Sequence, residues 1–221
     1  MSNTIKLTII SDVVCPWCVI GYKRVQQAID ELGIAELVSI EWEPYELNEY
    51  MPEKGEDARE HIAKKYGMTH EDVLSSNESM TKLGAEFGFT FDYSEGLRVR
   101  NTFKAHILLE YAKKLGKQTE LKLQLFEAFF THQKDVSDEQ VLRDILVKSG
   151  LDADTALASI NDPLLAKVVK ERELFWRNNG VNSVPTMVYN DQSATKGAQS
   201  VESYKQILKA LISGEVPTPF G

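Results

Sequence analysis

The first fifty residues combine two apolar segments typical of strands with one segment of helical spacing. Residues 5–10 are almost continuously apolar and stop at a Ser-Asp pair, which predicts a buried strand. A second strand is predicted at residues 37–42. Between them, apolar residues recur at helical spacing from Val25 to Leu32, and Gly33 follows where helices commonly end. The pattern therefore predicts a βαβ unit.

From about residue 56 to residue 179 the pattern is helical nearly throughout. Helix N-terminal signals occur at three places, which are Thr69 with Asp72, Ser137 with Gln140, and Asp162 followed by Pro163. The second of these has the form of a capping box. Two helices carry apolar stripes, formed by Phe103, Ile107, Tyr111 and Leu115 and by Leu121, Leu125, Phe126 and Phe129. Such stripes are typical of a hydrophobic core rather than of a cofactor site.

Strand character returns near the carboxyl end of the chain. Residues 186–189 and 194–196 predict strands, and residues 200–212 predict a last helix. A βαβ half and a ββα half thus flank a helical segment of roughly 120 residues, which is too long for a connecting loop. We therefore expect an α/β protein with one discontinuous domain, residues 1–50 and 178–221, and a helical domain inserted at residues 51–177.

Composition and charge argue against several classes of binding partner. The 221 residues include 25 Lys and Arg against 33 Asp and Glu, which gives a formal net charge of −8. An acidic chain without a basic patch argues against nucleic acid or an anionic membrane as the partner. No segment approaches the ~20 apolar residues of a membrane span, and the N-terminal residues lack the pattern of a signal peptide. We therefore expect a cytoplasmic, reducing compartment.

The two cysteines of the chain, Cys15 and Cys18, form a Cys-x-x-Cys motif. Such a motif is either half of a zinc site or a redox dithiol, and a structural zinc site would need two more Cys or His ligands at close spacing. The four histidines, His61, His70, His106 and His132, form no close pair. A redox dithiol is therefore favoured and no metal is expected, with two buried packing residues as the plain alternative.

The position of the motif before a helix predicts different roles for the two thiols. Pro16 suits the first helical position, which makes Cys15 the N-cap residue. Unpaired backbone N–H groups and the helix dipole favour a thiolate there, so we expect a lowered pKa for Cys15 and assign it as the nucleophile. Cys18, one turn later, is placed to resolve a mixed disulfide. Asp12 is interpreted as a strand-end cap, or as a modulator of Cys15 if it lies close enough.

The residues around this motif resemble the thioredoxin superfamily. The strand, the segment 12–18 (DVVCPWC) and the helix carry the resemblance, which is widest to the DsbA-like branch with a helical insertion and closest to FrnE-like oxidoreductases. Supporting segments are 42–47 (WEPYEL), 101–106 (NTFKAH), 180–186 (GVNSVPT) and 197–199 (GAQ). The resemblance implies a thioredoxin-like fold with an inserted all-helical domain. It also implies a protein disulfide oxidoreductase that needs no cofactor.

The resemblance also implies which residues meet the substrate. Pro185 is implied to be cis and to lie against the dithiol, with Val184 offering its backbone to an extended substrate. Asn101 and His106 are implied to face the dithiol from the insert. By its spacing alone, His106 falls outside the apolar stripe of its helix and is interpreted as a surface residue.

Pro16 and Trp17, between the cysteines, are expected to help set the reduction potential and to contact the substrate. The ring of Trp17 offers a flat apolar surface to a substrate, and packing against the insert is an equal alternative. Trp17 carries no charge that could stabilise a thiolate. A strongly oxidising dithiol is therefore not expected.

Two other functions remain open. Glutathione-dependent hydroxychromene-carboxylate isomerases and kappa-class transferases use the same insert-bearing architecture with a single hydroxyl in place of the dithiol, and the two cysteines argue against them. A non-enzymatic peptide-binding module is the second alternative. The expected partners are disulfide- or thiol-containing proteins or a small thiol such as glutathione, and both a monomer and a homodimer are compatible with the sequence.

Overall fold

A computed structural model describes residues 4–215 of the chain. Residues 1–3 and 216–221, which the sequence assigns to the discontinuous domain, lie outside the described residues. The chain divides into two compact units, one formed by the residues up to Tyr45 with those from Lys170 onward, and the other by Glu46–Val169. The predicted boundary at residues 50 and 51 lies near the first of these divisions.

The secondary structure follows the predicted order of elements, except that two strands of two residues each lie within the segment predicted to be helical. The strands are β1 (Ile5–Ser11), β2 (Val38–Pro44), β3 (Glu56–Asp57), β4 (Arg98–Val99), β5 (Thr186–Tyr189) and β6 (Ser193–Lys196). The helices are α1 (Pro16–Leu32), α2 (Ala58–Tyr66), α3 (His70–Glu86), α4 (Phe103–Lys114), α5 (Gln118–Phe130), α6 (Glu139–Lys148), α7 (Ala153–Ala158), α8 (Pro163–Asn178) and α9 (Val201–Ile212). Short 3-10 turns occupy Ala35–Leu37 and Ser159–Asn161.

The first unit is built on a mixed four-stranded sheet with the strand order β2-β1-β5-β6. β1 runs parallel to β2, with Ile5 opposite Val38, which confirms the predicted βαβ unit. β1 also pairs with β5 in the antiparallel direction, and β5 pairs with β6 in the same way. Because Ile10 lies opposite Thr186, the carboxyl end of β1 and the start of β5 lie side by side at the same end of the sheet.

Two helices of this unit pack beside each other on the sheet. α1 ends at Gly33, which takes the left-handed conformation (φ 64°) and donates its N–H to the carbonyl groups of the last turn. α9 begins after Ser200, whose side chain accepts a hydrogen bond from the Ser203 N–H. The apolar faces of both helices are buried, as their spacing predicts.

The second unit is helical apart from the two-residue antiparallel pair of β3 and β4. Phe103, Ile107 and Tyr111 pack with Leu165 and Val169, which confirms most of the predicted α4 stripe. Leu115 is 53% exposed and follows the last residue of α4, so its assignment to the core is wrong. The predicted α5 stripe is buried as a whole. Within residues 4–215, no helix has the length and apolar character needed to cross a bilayer.

The start of α6 differs from the prediction by one residue. Asp138, rather than Ser137, is the N-cap residue, and its carboxylate accepts a hydrogen bond from the Val141 N–H at 3.0 Å. The Ser137 hydroxyl instead donates to Asp135 at 2.6 Å, so the predicted capping box with Gln140 is wrong. Thr69 and Asp72 form a complete capping box at the start of α3.

α8 crosses the division between the two units. The predicted boundary at residues 177 and 178 coincides with the end of this helix, whereas the units divide at residues 169 and 170, in its middle. The second half of α8 packs in the first unit through Glu43 of β2, whose carboxylate accepts hydrogen bonds from Arg172 Nε at 2.6 Å and Trp176 Nε1 at 2.9 Å.

Candidate active site

The two cysteines lie at the N-terminus of α1, directly after β1. Cys15 is the N-cap residue in an extended conformation (φ −98°, ψ 110°), and Pro16 begins the helix, as the sequence predicts. The Cys15 N–H donates to the Asp12 carbonyl at 3.3 Å, and the Cys18 N–H donates to the Cys15 carbonyl at 3.1 Å. These bonds place both thiols on the first turn of the helix. Both cysteines carry free thiols.

The segment before β5 lies beside this turn. The Cys15 thiol donates to the Val184 carbonyl oxygen, with 3.6 Å between sulfur and oxygen. The peptide bond between Val184 and Pro185 is cis, as the family resemblance implies. The Pro185 carbonyl accepts a hydrogen bond from the Gly197 N–H at 2.8 Å, which ties this segment to the turn after β6. The structure thus brings Val184 and Pro185 to the dithiol.

Burial dominates the electrostatics of the thiols. Cys15 is 3% exposed and Cys18 is fully buried. Burial raises the pKa of the Cys15 thiol well above its usual value, and the neighbouring Cys18 thiol adds to this rise. The backbone N–H of Cys18 lowers the pKa of Cys15, but by less. The lowered pKa predicted for Cys15 from the helix N-terminus is therefore wrong, because the loss of water on burial outweighs the hydrogen bond from the Cys18 N–H.

Two further buried groups interact electrostatically with the cysteines. Asp12 is fully buried, and its charge contributes to the raised pKa of Cys15. Of its two interpretations, the structure therefore supports that of a modulator. Burial raises the pKa of Tyr204 in α9 to about 12, and Cys18 contributes to this shift. The sequence did not single out Tyr204, since its position in an apolar helix face carries no chemical signal.

Trp17 is the exposed member of the motif. Its side chain is 47% exposed, whereas Pro16 before it is half-buried. An exposed indole next to a nearly buried nucleophile is available to an apolar part of a substrate. The substrate contacts of Pro16 and Trp17 remain predictions.

Asn101 and His106 belong to the second compact unit. The Asn101 amide donates to the Glu46 carboxylate at 2.8 Å and to the Glu49 carbonyl at 3.2 Å, and its oxygen accepts from the Phe103 N–H at 2.9 Å. Asn101 thus holds the loop after β2 to the start of α4. Its contact with a substrate remains a prediction.

His106 is 2% exposed, so its interpretation as a surface residue is wrong. The reason is that α4 is buried on more than one face, with Ala105 to Leu109 all buried in succession. A single apolar stripe underestimates the buried surface of such a helix. The substrate contact of His106 likewise remains a prediction.

Metal-ligating side chains are not clustered in the part of the chain that the structure describes. Among residues 4–215, no group of three or more His, Cys, Asp or Glu side chains is arranged to hold a metal ion. The groups that lie together at the start of α1 are two thiols, the buried Asp12 carboxylate and the Val184 carbonyl.

Comparison with known proteins gives matches over nearly the whole chain. A family model described as the DSBA-like thioredoxin domain matches residues 6–209. The protein YwbO of Bacillus subtilis (strain 168) is 25% identical over 213 residues, which are 96% of this chain and 98% of that protein. A probable DsbA oxidoreductase from Streptomyces coelicolor has a similar structure, with a TM-score of 0.88, 26% identity, and coverage of 98% of this chain and 93% of that chain.

A third similar protein is the cytosolic disulfide reductase DsbM from Pseudomonas aeruginosa, which has also been solved with GSH. It is 13% identical, with a TM-score of 0.66 over 94% of this chain and 98% of that chain. At 13% identity the comparison shows that the two proteins share a fold. The matches extend over both compact units.

Proposed function

The chain belongs to the DSBA-like thioredoxin domain family, and we propose that it is a thiol-disulfide oxidoreductase that acts through Cys15 and Cys18. The observation that carries this proposal is the pair of free thiols at the start of α1, with the Cys15 sulfur 3.6 Å from the Val184 carbonyl oxygen. A nucleophile beside the backbone carbonyl of a half-buried residue suits a substrate that adds its main chain next to the reacting sulfur.

The proposed reaction is a two-step exchange. The Cys15 thiolate attacks one sulfur of a substrate disulfide, forms a mixed disulfide and expels the other substrate sulfur as a thiolate, which takes up a proton. The Cys18 thiolate then attacks the Cys15 sulfur and expels the second substrate thiol. The substrate gains two electrons and two protons, and the enzyme is left with a Cys15–Cys18 disulfide. The reverse sequence oxidises a dithiol substrate.

The exchange is tested by the reduction of insulin with dithiothreitol. The wild-type protein is expected to accelerate this reaction, and Cys15→Ser is expected to abolish the acceleration because it removes the attacking sulfur. Cys18→Ser is expected to accumulate a mixed disulfide that mass spectrometry detects. Full activity of a folded Cys15→Ser variant would disprove the mechanism.

We further propose that the dithiol is closer to a reductant than to a strong oxidant. Strong oxidants of this kind owe their potential to a stabilised reduced form with a low thiol pKa. Here burial raises the pKa of Cys15, and Trp17 supplies no charge that would stabilise its thiolate. Equilibration with glutathione is expected to give a potential below that of a strong oxidant, and a value near about −120 mV would contradict this assignment.

The proposed substrates are protein disulfides or a small disulfide such as that of glutathione, in a cytoplasmic compartment. The reductase DsbM, which shares the fold, is described as cytosolic and has been solved with GSH. A glutathione-dependent isomerase or transferase remains the alternative. Tight glutathione binding together with full activity of Cys18→Ala would favour that alternative, because the dithiol exchange needs both sulfurs.

A further inference from the structure

The face of α1 that carries Cys18 continues with Gly21 and Arg24, each three residues further along the helix. Gly21 is buried, and three side chains approach it closely. A Cβ atom at Gly21 would stand 3.1 Å from Pro185 Cγ, 3.3 Å from Met187 Cε and 3.5 Å from Ala198 Cβ. The first two distances are shorter than the usual carbon–carbon contact of about 3.5–4.0 Å. β5 therefore packs against α1 at a separation that only glycine allows without displacement.

The backbone of α1 does not itself require glycine at this position. Gly21 lies inside the helix and does not have a positive φ. Glycine in a helix interior is less favourable than alanine, since it loses more conformational freedom on folding. The close approach of Pro185 is what accounts for glycine here.

Arg24 links the same helix to the turn after β6. Its guanidinium donates to the Gln199 carbonyl at 3.3 Å and to the Ala198 carbonyl at 3.5 Å. The neighbouring Gly197 N–H donates to the Pro185 carbonyl at 2.8 Å. Residues 197–199 thus connect Arg24 with Pro185, so that two contacts from α1 define the position of the segment before β5.

We propose that Gly21 and Arg24 are positioning residues that set the separation between the dithiol and the Val184–Pro185 segment. This separation determines how well an extended polypeptide fits beside Cys15. The inference rests on the proposed function. A polypeptide disulfide must reach the Cys15 sulfur and pair with the Val184 backbone at the same time. A small disulfide needs access only to the Cys15 sulfur. Displacement of the segment should therefore affect polypeptide substrates selectively.

The test compares the kcat/KM values for insulin and for hydroxyethyl disulfide in the same preparation. Gly21→Ala is expected to lower kcat/KM for insulin about tenfold, chiefly by raising KM, and to change the value for the small disulfide by less than about twofold. Gly84→Ala is the control for overpacking away from the dithiol. It overfills a buried helical glycine in α3 of the other unit more severely than Gly21→Ala does, since the new Cβ would meet Phe91 and stand 2.7 Å from the Phe89 carbonyl oxygen. It is expected to leave the ratio of the two values unchanged.

A second pair of variants tests the inference without overpacking. Arg24→Met removes the donors and keeps the length, and is expected to lower the insulin value selectively, whereas Arg24→Lys keeps a donor and should restore most of it. An unchanged ratio, or an equal loss for both substrates, in folded Gly21→Ala and Arg24→Met would overturn the inference. If Gly21→Ala does not fold, the comparison of Arg24→Met with Arg24→Lys decides whether the inference holds. Wild-type activity that does not depend on Cys15 would instead overturn the proposed function.

Discussion

Glu43 offers the sharpest test of what holds the second half of α8 in the sheet unit. Its side chain is fully buried, and one carboxylate oxygen accepts both the Arg172 Nε–H at 2.6 Å and the Trp176 indole N–H at 2.9 Å. Arg172 and Trp176 are four residues apart, so a single carboxylate engages one face of the helix. Loss of this carboxylate leaves a buried indole N–H, since Trp176 is 8% exposed.

The loss of stability expected on removal of the Glu43 carboxylate follows from how exposed Arg172 and Trp176 are. Removing the acceptor of a buried donor costs about 1–3 kcal/mol, and breaking a fully buried ion pair about 3–5 kcal/mol. The Arg172 side chain is 38% exposed and regains water, which reduces its share. We therefore expect Glu43→Ala to lower the free energy of unfolding by about 3 kcal/mol, which corresponds to a fall in Tm of about 6–12 °C for a chain of this size.

Urea unfolding followed by circular dichroism measures this change, with Glu41→Ala as the matched control. Glu41 lies two residues earlier on the same strand, is 28% exposed, and has an ion-pair distance of 4.0 Å to Lys6. Its replacement is expected to cost at most about 1 kcal/mol. Equal losses in the two variants would show that the carboxylate of Glu43 does not hold α8.

The pKa of Cys15 and the corrected cap of α6 give further predictions. Because burial raises the pKa of Cys15, the folded reduced protein retains this proton at pH values where the unfolded thiol, with a pKa of ~8.5, has lost it. Stability is therefore expected to fall as the pH rises above about 8.5, and Cys15→Ser should flatten this dependence; equal slopes would contradict the raised pKa. Iodoacetamide is likewise expected to alkylate Cys15 more slowly at pH 7 than a free cysteine, and a faster rate would indicate a lowered pKa. Asp138→Ala should destabilise the protein by about 1 kcal/mol and Ser137→Ala by less, as measured by thermal denaturation, and the reverse order would restore Ser137 as the cap.

Local patterns predicted the elements of the sheet unit closely. The predicted strand at residues 186–189 has the observed bounds of β5, and Gly33 ends α1 in the left-handed conformation. Cys15 is the N-cap residue with Pro16 after it. These features depend on neighbours within one or two turns of the chain, and such neighbours are visible in a sequence.

Features that depend on burial by distant residues were not predictable in this way. The spacing of α4 indicated one apolar face, yet His106 is buried because other parts of the fold cover a wider surface of the helix. The helix N-terminus favours a thiolate at Cys15, yet desolvation reverses the sign of the pKa shift. The close approach at Gly21 likewise appears only when β5 is placed against α1.

The strand order determines how late in translation the sheet can be completed. β1 is an inner strand, and its neighbour β5 is translated only after the whole of the helical insert. While the ribosome makes that insert, the nascent chain presents an apolar strand edge with no β5 to cover it, a condition that favours aggregation. Pairing between such distant segments also slows folding. We therefore expect the first forty residues to be prone to aggregation until β5 has been translated.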